Sequence, residues 1–259
     1  MGLLEGTVAL VTGIANKRSM AWGIAQAFDR EGARLVLTYQ HQRFRENLEE
    51  LVPELGQTPA LIELDVASDG SIAALGTWLA QQCADGIQCV VHSIAYAERH
   101  DLEGRFVDTS REGFLTAQNI SAYSLVALSR MAAPLLAKAG GGAILTLTHL
   151  GSTRVMPNYN VMGTAKASLE SAVRYLAYEL GRDRIRVNAI SAGPVKTLAA
   201  SGVRGISQAL RMTEERAPIP ENITTQDVGN AAVFLASPWA THITGQILFV
   251  DSGFHILGA

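Results

Sequence analysis

Short, continuous apolar runs alternate with longer stretches of helical period along almost the whole chain. No other feature constrains the fold as strongly. The apolar runs are residues 7–12 (TVALVT), 34–39 (RLVLTY), 59–64, 87–93 (IQCVVHS), 143–149 (AILTLTH), 184–190 (RIRVNAI) and 246–250 (QILFV). Between them, residues 21–30, 42–55, 71–82, 111–138, 160–180 and 225–235 read as helices. A strand that is apolar throughout, rather than at every second residue, is covered on both faces, and strands separated by helices run parallel. Right-handed crossovers then predict a Rossmann-like, doubly wound α/β sheet of about seven strands with helices on both faces. No composition break or repeat divides the chain, so residues 1–259 are expected to form a single domain. The segment 197–220 interrupts the alternation after the sixth strand, and it holds Gly202, Gly205, Pro218 and Pro220. A long connection at the carboxyl end of such a sheet predicts a lid.

Composition narrows the class further. Charged residues make up 17% of the chain and apolar ones 48%, against about 25% charged in an average soluble protein. That excludes disorder and leaves more apolar surface than a lone domain ordinarily carries. Lys and Arg number 21 against 24 Asp and Glu, a net charge of −3. Such a balance gives no field for nucleic acid or an anionic membrane, and neither partner is expected. Cys83 and Cys89 have no CxxC or Cys/His company, so neither a disulfide framework nor a metal site is expected. Glu5 breaks the apolar core that a signal peptide would need, and Gly6 stands where myristoylation wants Ser or Thr. The expectation is a soluble, cytoplasmic protein.

The first strand runs into Gly13, and Ser19, Met20 and Gly23 follow at the start of a helix. A strand, a glycine turn and a helix N-terminus form a cradle for pyrophosphate, although the usual GxGxxG spacing is absent. Ser19 stands where a hydroxyl could bond phosphate or cap the helix. The second strand ends at Tyr39-Gln40, with Arg43 and Arg45 just beyond. Gln40 is neutral, so the residues alone do not settle NADH against NADPH. Asp65-Val66 suits an adenine edge, and Ser93-Ile94-Ala95 ends the fourth strand with residues that allow close backbone approach. After the fifth strand, Tyr159 and Lys166 lie seven residues apart, nearly two helical turns, on one face. A phenol near a lysine is expected to gain acidity and to donate to a developing oxyanion.

These blocks resemble the short-chain dehydrogenase/reductase superfamily, and more narrowly its enoyl-acyl-carrier-protein reductases. The superfamily at large carries Tyr-x-x-x-Lys, whereas the enoyl reductase branch carries Tyr-x6-Lys, the spacing present here. Val187-Asn188-Ala189-Ile190-Ser191-Ala192-Gly193-Pro194, Thr197-Leu198-Ala199-Ala200 and Val250-Asp251-Ser252-Gly253 extend the resemblance nearly end to end. It implies reduction of the trans-2 double bond of an enoyl thioester on acyl carrier protein by a nicotinamide cofactor, with NADH favoured and NADPH left open. It implies cofactor contacts at Gly13, Ser19, Met20, Gln40, Asp65, Val66, Ile94, Lys166, Val195 and Thr197. Tyr159 would bond the thioester carbonyl. Ala97, Met162, Ala199, Val203 and Ile206 would line an acyl pocket. A homotetramer joined through the long helices after the fourth and fifth strands and through the C-terminal region is also implied.

One position departs from the family. A second tyrosine usually precedes Leu-Gly after the fifth strand, and here His149 stands there. Three readings stay open: His149 substitutes as a catalytic donor or proton relay, it is neutral to activity because Tyr159 makes the direct contact, or it marks a paralogue with altered substrate; the second is the expectation. Two other readings compete: a ketoreductase or other short-chain reductase, and a nucleotide-binding regulator without catalysis. The first would need the shorter Tyr–Lys spacing, which is absent because Met162 stands four residues before Lys166.

Overall fold

In the computed structural model, which describes residues 2–195, 197 and 205–258, the seven apolar runs form one sheet. Its strands are β1 (Val8–Val11), β2 (Arg34–Tyr39), β3 (Ala60–Glu63), β4 (Cys89–His92), β5 (Gly142–Thr148), β6 (Ile185–Ala192) and β7 (Ile247–Val250). Their order is β3-β2-β1-β4-β5-β6-β7, and every neighbouring pair is parallel. The winding reverses between β1 and β4. That switch point leaves a crevice at the carboxyl ends of the strands, where ligands bind in open α/β sheets.

The helices are α1 (Met20–Arg30), α2 (Gln42–Leu51), α3 (Asp69–Gln82), α4 (Arg99–Leu102), α5 (Arg111–Gln118), α6 (Ser124–Lys138), α7 (Asn160–Leu180), α8 (Ile206–Arg216) and α9 (Thr225–Ala236). The strands feed two cores by simple alternation. Ala9, Val11, Leu35, Leu37 and Val91 pack with Trp22 and Phe28 of α1 and Val228 of α9. Leu10, Val36 and Val90 point the other way, into Leu75, Leu128 and Leu169 of α3, α6 and α7. Each strand is therefore covered on both faces, which is why its sequence is apolar throughout.

Local chemistry trims the predicted helices. The one expected over 42–55 ends at Leu51, and Pro53 falls in a separate 3₁₀ turn, Val52–Glu54. The helix over 71–82 begins two residues early, at Asp69, because the Ser68 hydroxyl accepts from the Ser71 N–H at 3.2 Å. A π turn, Asn119–Tyr123, joins α5 to α6. Arg111–Lys138 is long and apolar enough by composition to cross a membrane, yet 56% of that window is buried inside the domain. It reads as a core helix.

Candidate active site

The turn after β1 is built around contacts that only glycine allows. Gly13 has φ +86°, and a Cβ there would lie 1.9 Å from the Ser93 carbonyl oxygen. The end of β1 is thereby pressed against the end of β4. Ser19 stands at the N-cap of α1, but its side chain does not cap the helix. Its hydroxyl instead accepts from the Ala15 and Asn16 N–H groups, both at 3.1 Å. Those bonds use the oxygen and leave the hydroxyl proton to give, beside a helix N-terminus whose first N–H groups have no intrahelical partners. Gly23 packs on another helix rather than a strand: a Cβ there would meet Thr225 at 2.6 Å, and one at Gly229 would meet the Gly23 oxygen at 2.6 Å.

The neighbouring strand ends complete this edge. Gln40 is exposed after β2. Arg45 stacks 5.9 Å over the Tyr39 ring and is bonded to Glu49 at 2.8 Å. Asn47 donates to the Ala15 oxygen at 3.0 Å, tying α2 to the glycine turn. After β3, Asp65 Oδ1 accepts from the Ala67 N–H at 3.0 Å, which leaves a second oxygen beside buried Val66. Met20 and Ile94 are half-buried at the same edge. A cavity of about 450 Å³ joins Lys17 and Arg18 of the turn to Val195, Leu210, Asn222 and Thr225. Thr197 is buried, and its N–H donates to the Val195 oxygen at 2.8 Å.

The second half of the site lies between β5 and α7. His149 Nδ1 accepts from the Gly151 N–H at 3.0 Å, so the proton of the neutral imidazole sits on Nε2. Burial, and then Lys166, push His149 down to about 4, which keeps it neutral. Its ring lies 4.8 Å from that of Tyr159. Gly151 also makes room for the tyrosine, since a Cβ there would come within 2.5 Å of the Tyr159 ring. Tyr159 is the N-cap of α7, flanked by Asn158 at φ 60° and Asn160 at φ 23°. Two asparagines in the left-handed region are a strained pair of the kind that clusters at functional sites.

Lys166 is buried, and its ammonium donates to the Leu147 oxygen at 2.7 Å. Burial pushes Lys166 down to about 8, with Glu170 working against that shift. One expectation needs correction. Lys166 was expected to make the Tyr159 phenol more acidic, but burial pushes Tyr159 well above its ordinary range. The ring sits in an apolar cluster with Ala97, Leu102, Ala117, Val161, Met162 and Ala165, and that environment disfavours a phenolate.

The structure thus gathers Ala97, Tyr159 and Met162 in one cluster and seats Ile206 half-buried at the start of α8. Ala199 and Val203 lie outside the described residues. Sequence reasoning passed over Lys17 and Arg18, whose only signal was two cations inside a glycine turn. It also passed over Glu170, an acid one helical turn beyond Lys166.

Fold and site together define a dinucleotide-binding α/β fold whose fifth strand is followed by Tyr159 at the cap of α7 and buried Lys166 within that helix. The family model described as enoyl-(acyl carrier protein) reductase matches residues 13–255. The chain is 51% identical to the NADH-type enoyl-[acyl-carrier-protein] reductase of Bacillus cereus over 259 residues, covering 100% of both chains. It is 48% identical to an NADPH-type enzyme of Staphylococcus aureus, covering 98% of each. A crystal structure of the Bacillus cereus reductase with NADP+ and indole naphthyridinone superposes with a TM-score of 0.97, at 51% identity and full coverage of both chains. The chain belongs to the enoyl-(acyl carrier protein) reductase family.

Proposed function

We propose that the chain reduces the trans-2 double bond of enoyl thioesters carried on acyl carrier protein, the last reductive step of fatty acid elongation. The observation that carries this reading is the placement, within a member of that family, of Tyr159 packed on His149 at the cap of α7 and of Lys166 buried seven residues further along the same helix. The residues at the sheet edge suit a dinucleotide. Ser19 has a hydroxyl proton to give to pyrophosphate, beside the α1 N-terminus. The second oxygen of Asp65 and the side chain of Val66 suit the adenine edge. Gly13, Met20, Gln40 and Ile94 complete the wall, and Val195 and Thr197 stand where the carboxamide would pack. Gln40 neither selects the ribose 2′-hydroxyl nor repels a 2′-phosphate, whereas the Arg45 side chain is bonded to Glu49; NADH is the favoured reductant.

The reduced nicotinamide supplies a hydride when bound. Lys166, donating from a fixed ammonium, would hold the nicotinamide ribose hydroxyls. Tyr159 stays a neutral phenol across the physiological range, so it acts as a hydrogen-bond donor to the thioester oxygen rather than as a base. Negative charge gathers on that oxygen when hydride reaches the β-carbon, and a fixed donor there is worth about 10²–10³ in rate. Protonation at the α-carbon completes the saturated chain. Ala97, Met162, Ala199, Val203 and Ile206 would line the acyl pocket, with 197–220 as its lid. His149 makes no direct contact in this reading. The chain would work in the cytoplasm as a homotetramer, without nucleic acid or membrane partners.

The test is oxidation of NADH and of NADPH with crotonyl and longer enoyl thioesters, beside 3-ketoacyl thioesters as controls. Oxidation with enoyl substrates alone is expected. Oxidation with ketoacyl substrates alone, or with none, contradicts the proposal.

A further inference from the structure

Glu170 is buried one turn beyond Lys166 on the same face of α7. A carboxylate inside a domain is costly unless it is bonded and its charge is used. Adjacent residues of β5 anchor the two side chains. The Leu147 carbonyl accepts from Lys166 Nζ, and the Thr148 hydroxyl donates to Glu170 Oε1, both at 2.7 Å. Because Thr148 is neutral, the carboxylate charge is left to act through a poorly screened interior.

Two histidines feel the Lys166 charge, and Tyr159 and Asp251 act next to the second of them. His92 of β4 is locked between the Thr146 and Ser124 hydroxyls at 2.8 and 2.7 Å. Burial, and then Lys166, push it down to about 3, so it stays neutral. His149 after β5 is neutral for the same reasons, and the Tyr159 phenol is uncharged. Asp251, after β7, acts on His149 and is itself occupied by the His255 ring at 2.9 Å. Glu170 is the acidic group acting on Lys166 among the described residues.

We propose that Glu170, fixed by Thr148, is a positioning residue that keeps the Lys166 ammonium charged through the working pH range. Its effect on turnover rests on the role of Lys166 given above, whereas its effect on the lysine's charge does not. Glu170→Gln preserves shape and an acceptor for Thr148 while removing the charge. Lys166 is one of four lysines, with Lys17, Lys138 and Lys196, so the full chain labelled with ε-¹³C lysine gives a simple NMR titration. Lys166→Met assigns the signal.

The Lys166 midpoint is expected about one pH unit lower in Glu170→Gln than in the parent, the usual size for loss of a nearby opposite charge. Glu170→Asp, which keeps the charge but draws it back, should fall between them and gives the same reading if the glutamine variant does not fold. The alkaline fall of kcat/KM should move in parallel, whereas a merely structural role would lower activity by one factor at every pH. An unmoved lysine midpoint in a folded variant overturns the proposal. A moved midpoint in a chain that reduces no enoyl thioester overturns the functional reading alone.

Discussion

Gly151 illustrates how much chemistry one residue can fix. Its N–H holds His149 in a single tautomer, and its missing side chain admits the Tyr159 ring. The two aromatic neighbours then differ sharply in what they contribute. Tyr159→Phe removes the hydroxyl proposed to donate to the thioester oxygen and should lower kcat by about 10²–10³, while His149→Phe, which loses no such donor, should cost far less. Steady-state kinetics on both variants checks this, and equal losses would contradict the ranking. The tyrosine was legible from its spacing to Lys166. Its raised pKa was not, because the enclosing residues Leu102, Ala117 and Ala165 come from three separate helices. Buried histidine also sets the acid limit of stability. His92 falls from 6.5 to about 3 on folding, so the unfolded chain binds a proton between those values that the folded chain does not. Stability is therefore lost as pH falls through that window, by about 1.4 kcal/mol per pH unit. Unfolding of the parent and of His92→Asn between pH 6.5 and 4.5 should show a shallower slope for the variant, whatever its overall stability. Parallel slopes would remove His92 from the account.

At the scale of elements, the strands were readable because coverage on both faces makes them continuously apolar, and the alternation of Ala9, Leu10 and Val11 between two cores shows the cause. Most helices were readable from period. What could not be read was how elements meet. Gly23 looked like a component of the nucleotide turn, yet its contact is with Thr225, where α1 crosses α9. That crossing depends on glycine from both helices. Gly229→Ala should therefore cost about 1–3 kcal/mol, seen as a lower midpoint in denaturant with little change in its slope. A neutral or stabilising effect would mean that the helices separate freely. The irregular start of α7 was only half legible, since asparagine tolerates positive φ but does not by itself announce two such values around Tyr159. Tertiary contacts hold them, among them the bond from Asn160 Nδ2 to the Glu103 oxygen at 3.2 Å.

For the whole molecule, the apolar character of the chain finds two outlets. One is the pocket cluster around Tyr159. The other is a set of exposed side chains, Val155, Tyr178, Trp239, Val107 and Tyr175, at 97, 84, 71, 71 and 70%. Association through α6 and α7 would cover part of it. Sedimentation equilibrium is expected to give about four times the 27.6 kDa chain mass, and a monomer at micromolar concentration would leave that exposure unexplained. The fold class was legible from pattern alone, while the chemistry needed the particular residues Tyr159 and Lys166 and the family blocks around them. The central claim is that hydride goes to carbon, at the β-position of an enoyl thioester, and it can be read from one product. [4,4-²H₂]NADH and crotonyl thioester, turned over by the parent chain, should give a saturated butyryl thioester with one deuterium at the β-carbon. Deuterium at a carbonyl-derived carbon, or NADH left unoxidised, would contradict the account.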